Sequence, residues 1–242
     1  EPNLVLGRYN RLFLRYAKKI LCYSENIINF PKKYQNKIYL IKPLLRKNLY
    51  QEKKNINKQI NKPFKILVIG GSQGAQFFDS KISELMIDLN KDYEISLIQQ
   101  VTDQSRKNFL IEKYNNAKIK NEIFGFDEEI YKKYYQIDFA ITRSGASTIS
   151  ELVFFNIPFV AIPLPYSKDN HQYFNAKNYY EKKSCWIINQ SEYKKENLKE
   201  LIQNILQNSD SYFEKKNNMV KFSYQNSWNN INQSLLNLIN EN

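Results

Sequence analysis

The chain is expected to be an α/β protein built on a doubly wound parallel sheet. Three observations predict this. From Phe64 onward, short apolar runs alternate with helix-length stretches, and turn-forming residues separate them. Phe64-Lys-Ile-Leu-Val-Ile69 and Phe139-Ala-Ile-Thr142 are apolar nearly throughout, as strands covered on both faces are. Small-residue turns follow these two runs and lead into helices, and the right-handed crossover rule places all such turns on one edge of the sheet.

Taken in order, residues 8–24 read as a basic helix with Leu12, Tyr16 and Ile20 at helical spacing, although Ile20-Leu-Cys-Tyr23 also fits a short strand. Residues 37–41 read as a strand that ends at Pro43. Residues 47–62, rich in Lys, Asn and Gln and without an apolar period, read as a linker with a helical turn. Strands are then expected at 64–69, 93–99, 119–124, 139–142, 159–162 and 185–188. Helices are expected at 75–89, 104–114, 127–135, 147–155, 170–182 and 194–208, with one or two more in the tail. The implied organisation is a first part over 1–58, a regular α/β domain over 59–208 and a helical tail over 209–242 that packs back on the first part.

The length of 242 residues allows one large domain or one domain with part of another, and an apolar fraction of 42% supports a substantial core. The formal charge of +12 points to an anionic partner: nucleic acid, an anionic membrane surface or a phosphorylated substrate. Nucleic acid is disfavoured, because the basic residues are scattered and form no recognised module. The abundance of Lys, Asn, Ile and Tyr also fits a compositional origin for much of the charge. Cys22 and Cys185 match no metal or redox spacing, and a reduced, cytosolic setting fits them. The longest apolar stretch, 152–166, is interrupted by Asn156, Pro158, Pro163 and Pro165, so it does not read as a membrane span. No signal peptide is evident, and the start at Glu1 without Met suggests that an N-terminal portion precedes this chain.

Three turns carry the chemistry. Arg143-Ser-Gly-Ala-Ser-Thr-Ile-Ser-Glu151 joins a buried strand to an amphipathic helix and presents free backbone N–H groups, a favourable place for an anion. Glu151 lies two turns in, too far along to cap the helix; there a carboxylate suits the hydroxyls of a ribose. Gly70-Gly-Ser-Gln-Gly-Ala75 follows the first strand of the regular domain, and Gly70, Gly71 and Gly74 permit a close backbone approach while Ser72 offers a hydroxyl. It is neither a dinucleotide fingerprint nor a Walker loop. The segment after the strand at 159–162 supplies Asp169, Asn170, His171, Gln172 and Asn175, polar groups of the kind that sugar hydroxyls require. The plainer alternatives are a tight turn at Gly145, ordinary N-capping by Ser147 and Thr148, and a surface role for His171.

Gly-Gly-Ser-Gln-Gly-Ala, Arg-Ser-Gly-Ala-x-Thr-x-Ser-Glu and Lys-Asp-x-x-Gln-x-x-Asn-Ala, in this order and spacing, resemble the C-terminal domain of the MurG family, bacterial UDP-N-acetylglucosamine transferases of glycosyltransferase family 28. The resemblance runs from about Glu1 to Gln190; the tail matches only in length and helical character. It implies a GT-B arrangement of two facing doubly wound domains, with the donor held mainly by the C-terminal one. It further implies an inverting transfer of N-acetylglucosamine to the 4-hydroxyl of undecaprenyl-linked muramoyl-pentapeptide in peptidoglycan synthesis, peripherally at the cytoplasmic face of the inner membrane, with no cofactor and no metal. Carried over by position, Ser72 meets the diphosphate, the backbone of Ala146, Ser147 and Thr148 cradles phosphate at the helix N-terminus, Ile149 and Ser150 count among the substrate-binding residues, and Gly145 is a structural glycine. Glu151 holds the ribose, Phe126 and Asp127 meet the uracil through their backbone, and His171 and Gln172 read the sugar. Glu1-Pro-Asn3 resembles the end of a His-Glu-Gln-Asn motif whose Asn faces the donor. Ile41-Lys-Pro-Leu-Leu-Arg46 resembles a hinge segment, with Arg46 one residue later than the family arginine. His171 stands where Gln is frequent, and Asp127 where an apolar residue is. The family's N-terminal glycine-rich loop and candidate catalytic base have no counterpart in this chain. The other readings are a donor-binding subunit that needs a separate N-terminal half, and a related glycolipid glycosyltransferase.

Overall fold

The computed structural model describes residues 1–51, 59–71, 76–223 and 226–240. Its centre is a six-stranded, all-parallel sheet. The strands, numbered with two earlier ones (β1, Ile20–Cys22; β2, Ile38–Leu40), are β3 Phe64–Ile69, β4 Ile95–Gln100, β5 Lys120–Phe124, β6 Phe139–Thr142, β7 Phe159–Ala161 and β8 Trp186–Ile187. They lie in the order β5-β4-β3-β6-β7-β8. The chain runs outward from β3 in one direction and then returns to its other side with β6, so the topological switch lies between β3 and β6. In such sheets ligands bind at that point, beyond the carboxyl ends of the strands. Register brings those ends level: Ile69 pairs with Gln100 and with Thr142, and Thr142 with Ala161.

Both faces of the sheet are covered. Ile66, Val68 and Ile141 point into one core together with Leu85, Leu110 and Ile202. Those side chains come from helices α2 (Ser83–Leu89), α3 (Gln104–Asn116) and α7 (Lys195–Gln207). Leu67, Ala140 and Ala161 point to the other face, where Tyr134, Ile149, Leu152 and Ala176 form a second core. These come from α4 (Tyr131–Tyr134), α5 (Ala146–Phe154) and α6 (His171–Glu181). The two-period alternation along each strand divides the apolar residues between the layers.

The first fifty residues hold a smaller core of Leu6, Leu14, Ile20, Cys22, Ile27 and Phe30, closed by parallel pairing of β1 with β2. Leu49, in the 3-10 turn Lys47–Gln51, already belongs to the second core of the large sheet. In the tail, α8 (Asp210–Ser223) sends Tyr212 and Met219 into the two cores flanking the sheet. Helix α9 (Trp228–Asn240) reaches back to the first segment, where the Tyr39 hydroxyl donates to the Ser234 carbonyl at 3.0 Å.

Three helices differ from expectation. The helix predicted over 8–24 ends at Phe13 (α1, Arg8–Phe13), and the alternative strand at Ile20 is the one formed, since it pairs residue for residue with Ile38–Leu40. The helix expected over 127–135 is reduced to Tyr131–Tyr134 because the Asp127 carboxylate accepts the Glu129 N–H at 2.8 Å, a local turn that competes with helix. Before α2 lies a π-helical turn, Phe78–Ile82, where the Ser80 and Ser83 hydroxyls donate to carbonyls one turn back.

Candidate functional site

The sheet's carboxyl edge opens into a cleft of about 390 Å³ lined by Ile69, Gln100, Phe126, Asp127, Ser147, Thr148, Glu151, Tyr134 and the segment Leu44-Leu45-Arg46. The turn after β6 forms its wall. Gly145 is the N-cap of α5, and no side chain caps the helix, so Ser147 and Thr148 do not serve that purpose. The plainer alternative, a tight turn that requires glycine at 145, is not what the backbone shows: its φ of −63° and ψ of 139° are open to any residue. A Cβ built there meets, among the described residues, only Thr148 Oγ1 at 4.0 Å. Gly145 therefore leaves space beside bare helix N–H groups. Gly71, by contrast, sits at φ +64°, where glycine is favoured. Gly70 is buried at the end of β3. Ser72 and Gly74 lie outside the described residues.

Beneath this turn Arg143 is structural. Its guanidinium donates to the carbonyls of Ile162 and Pro163 at 3.0 and 3.2 Å and to Gln190 Oε1 at 2.6 Å, and it lies over the rings of Phe77 and Phe78. Burial pushes it down to about 10. The Ser144 Oγ is buried with no hydrogen-bond partner among the described residues. Ile149 and Ser150 are buried and do not line this cleft.

Glu151 points into the cleft with 15% of its side chain exposed. The Tyr134 hydroxyl donates to its Oε2 at 3.0 Å, and Arg46 Nη2 lies 3.7 Å from Oε1. Burial raises the Glu151 carboxyl above the ordinary carboxylate range, against the opposing pull of Tyr134 and Arg46. Arg46 thus reaches this carboxylate, and its other terminal nitrogen donates to the Glu128 carbonyl. Phe126 is 80% exposed at the mouth. Asp127 is held by Lys133 Nζ at 3.2 Å and by the Glu129 N–H, which keeps its carboxyl below the usual range. Its side chain shapes the turn and leaves the backbone of that turn for contact.

On α6, Gln172 Oε1 accepts the N–H groups of Leu164 at 3.0 Å and Ser144 at 3.3 Å, so its oxygen braces two loops. Its Nε2 makes no hydrogen bond among the described residues. His171 Nδ1 lies 2.8 Å from the Lys168 carbonyl; since a carbonyl only accepts, Nδ1 carries a hydrogen and the neutral ring presents Nε2 as an acceptor. Asn3 is tied to this region. Its Oδ1 accepts from Asn175 Nδ2 at 3.0 Å, and its Nδ2 donates to Glu1 Oε1 at 3.3 Å. The structure therefore gathers Arg46, Phe126, Asp127, Thr148 and Glu151 in one cleft and holds Asn3, His171 and Gln172 along the adjoining helix. Tyr134 and Asn175 were not singled out as partners of Glu151 and Asn3; hydroxyl and amide side chains carry no local signal of such long-range pairs. Among the described residues no three His, Cys, Asp or Glu side chains come together as metal ligands would.

Comparison with known proteins gives a consistent picture. The family model described as glycosyltransferase family 28 C-terminal domain matches residues 65–231. A relative from Pelagibacter ubique (strain HTCC1062), named UDP-N-acetylglucosamine--N-acetylmuramyl-(pentapeptide) pyrophosphoryl-undecaprenol N-acetylglucosamine transferase, is 44% identical over 242 residues, which is 100% of this chain and 67% of the relative. A relative of the same name from Rickettsia canadensis (strain McKiel) is 33% identical over 226 residues, 91% of this chain and 63% of its own length. The chain thus spans about two thirds of these relatives. Among solved structures, MurG of Acinetobacter baumannii superposes with a TM-score of 0.77 at 24% identity, covering 100% of this chain and 65% of that one. Os79 from O. sativa in complex with UDP shares the fold at TM-score 0.63 and 14% identity, over 88% of this chain and 51% of its own.

Proposed function

The chain belongs to glycosyltransferase family 28, and from that premise we propose that it carries the UDP-N-acetylglucosamine-binding half of an inverting N-acetylglucosaminyltransferase acting on lipid-linked muramoyl-pentapeptide. The observation that carries this reading is the pairing, across one cleft, of an uncapped helix N-terminus beside the open Gly145 with the half-buried carboxylate of Glu151. The first suits a diphosphate, since bare N–H groups and the helix dipole favour an anion. The second, one and a half turns along the same helix, suits the two ribose hydroxyls as an acceptor.

In this reading the uracil lies in the mouth formed by Ile69, Gln100 and the backbone at Phe126 and Asp127. The amides of Ala146, Ser147 and Thr148 hold the diphosphate, with Ser72 on the neighbouring turn. His171 Nε2, Gln172 Nε2 and Asn3 face the sugar. In the transfer, the acceptor 4-hydroxyl oxygen bonds to the anomeric carbon as the bond from that carbon to the phosphate oxygen breaks. UDP leaves with the electron pair, and the helix N-terminus stabilises the charge that develops on it. The hydroxyl proton passes to a base supplied by residues other than those named.

The lipid acceptor calls for a membrane surface, and α1 with the turn after it fits one. Tyr9, Leu12, Phe13 and Tyr16 are exposed among Arg8, Arg11, Arg15, Lys18 and Lys19, with no acidic residue between. The attachment proposed is peripheral, through this exposed aromatic and basic surface; no helix among the described residues is long and apolar enough to cross a membrane.

Calorimetric titration of the chain with UDP-N-acetylglucosamine, UDP-glucose and UDP tests the donor assignment. The expected result is saturable binding of UDP, strengthened by the N-acetylglucosamine moiety more than by glucose. Absence of UDP binding would overturn it.

A further inference from the structure

We infer that Asn175 is a positioning residue through which the N-terminal segment sets the geometry of the phosphate-binding turn. Its side chain is 4% exposed. The Nδ2 group donates in two directions, to Asn3 Oδ1 at 3.0 Å and to the Ser144 carbonyl at 3.1 Å. The Oδ1 accepts the Leu4 N–H at 3.0 Å. One buried amide thus uses both its hydrogens and its oxygen to join the segment at residues 3–4 to the residue that precedes the N-cap of α5.

The consequence follows from peptide planarity. The Ser144 carbonyl and the Gly145 N–H share one rigid plane and point in opposite directions, so holding the carbonyl fixes where the N–H is aimed. Gln172, one helical turn before Asn175, accepts the Ser144 N–H and fixes the preceding plane. Two side chains on one face of α6 therefore clamp Ser144 on both sides, and only Asn175 also grips the N-terminal segment. The seam is tight: Pro2, Leu4, Ala146, Ile149 and Asn175 leave a space of about 20 Å³ between the segment and α5. Displacement of residues 3–4 pulls on the Asn175 amide and turns the Ser144–Gly145 peptide. The position of residues 3–4 and phosphate affinity are thereby coupled without Asn175 touching the ligand. The inference rests on the reading of this turn as the diphosphate site.

The test uses UDP, which lacks the sugar that Asn3 would contact, and compares the unaltered chain with Asn3→Ala, Asn175→Ala and the double variant. Amide hydrogen exchange at Ser144 and Ile149, whose N–H groups are bonded to Gln172 Oε1 and to the Gly145 carbonyl, reads the turn without ligand, and calorimetry reads UDP affinity. Asn3→Ala is expected to speed exchange at both amides and to weaken UDP about fivefold, the scale of one lost hydrogen bond. Asn175→Ala is expected to do more, and the double variant no more than Asn175→Ala alone, because the two residues act as a unit. Unchanged exchange in Asn3→Ala, or effects that multiply in the double variant, would overturn the coupling. If exchange accelerates but the unaltered chain does not bind UDP, the coupling stands and the donor reading falls. Asn3→Ala alters a surface segment outside both sheet cores, so the test does not depend on the folding of Asn175→Ala.

Discussion

Glu151→Gln separates a binding role from a structural one, because the two predict opposite signs. The substitution preserves shape and removes the charge. In the unliganded cleft the carboxylate has one neutral hydrogen bond, from Tyr134 at 3.0 Å, and a loose cation at 3.7 Å, while burial raises its pKa. The raised pKa means that the ionised form is disfavoured in the native state, so neutralising it should leave the melting temperature unchanged or slightly higher. For UDP the balance is reversed. A carboxylate accepting two ribose hydroxyls forms charge-assisted bonds worth about 1.5–3 kcal/mol, whereas an amide oxygen offers neutral ones worth about 0.5–1.5. The difference of about 1–2 kcal/mol corresponds to roughly 5- to 30-fold weaker UDP binding. Calorimetry with UDP and with 2′,3′-dideoxy-UDP, alongside thermal melts, checks both signs. Equal affinity for UDP in Glu151→Gln and the unaltered chain would refute the ribose assignment. A marked fall in melting temperature would instead make Glu151 a structural residue.

The same carboxyl sets a pH dependence. Its folded pKa lies above the unfolded one, so its contribution to stability is fully present at low pH and is lost as pH rises through the folded value, which lies above the ordinary 4.5. UDP affinity should run the other way, falling as the pH is lowered into that window, and Glu151→Gln should lack this component in a pH series of titrations. Gln172→Ala should weaken both UDP and the UDP-sugar, because Gln172 Oε1 braces Ser144 and Leu164 as well as facing the sugar. The sugar-bearing ligand should lose more, and an equal loss for both would leave Gln172 with the bracing role alone. Replacing Tyr9, Leu12, Phe13 and Tyr16 together by Ser should reduce sedimentation with phosphatidylglycerol vesicles severalfold while UDP titration stays constant.

The sheet was legible because strands buried on both faces have to be apolar, and the stretches at Phe64 and Phe139 have no other use. Element ends were less so: at Asp127 and around Ser80 and Ser83 a side chain competes for a backbone partner, and periodicity does not register such competition. The turn at Arg143–Glu151 could be read locally, since a helix N-terminus and a carboxylate about one and a half turns on are a single-segment pattern. Tyr134 and Asn175 could not. Tyr134 meets Glu151 only because α4 and α5 pack on the same face of the sheet. Asn175 meets Asn3 only because the first segment folds back on α6. Each relation belongs to the tertiary structure, and no local pattern in either residue's neighbourhood encodes it.

On the proposed donor reading, the charge distribution argues for how a diphosphate would be held. The cleft's lining carries one arginine against three carboxylates, Asp127, Glu128 and Glu151, so the attraction for UDP does not come from side chains at the nucleoside end. It has two remaining sources among the described residues: the N–H groups at the start of α5, acting at contact, and the diffuse field of a chain with formal charge +12. Salt separates them. Charges farther away than the screening length, about 10 Å at 0.1 M and about 3 Å at 1 M, are attenuated, whereas hydrogen bonds at contact distance are not. Stopped-flow measurements between roughly 0.05 M and roughly 0.5 M NaCl should therefore show a slower association rate and a nearly constant dissociation rate for UDP. If dissociation instead accelerates in step with salt, exposed Lys or Arg side chains hold the phosphates, and the helix N-terminus is not the principal cradle.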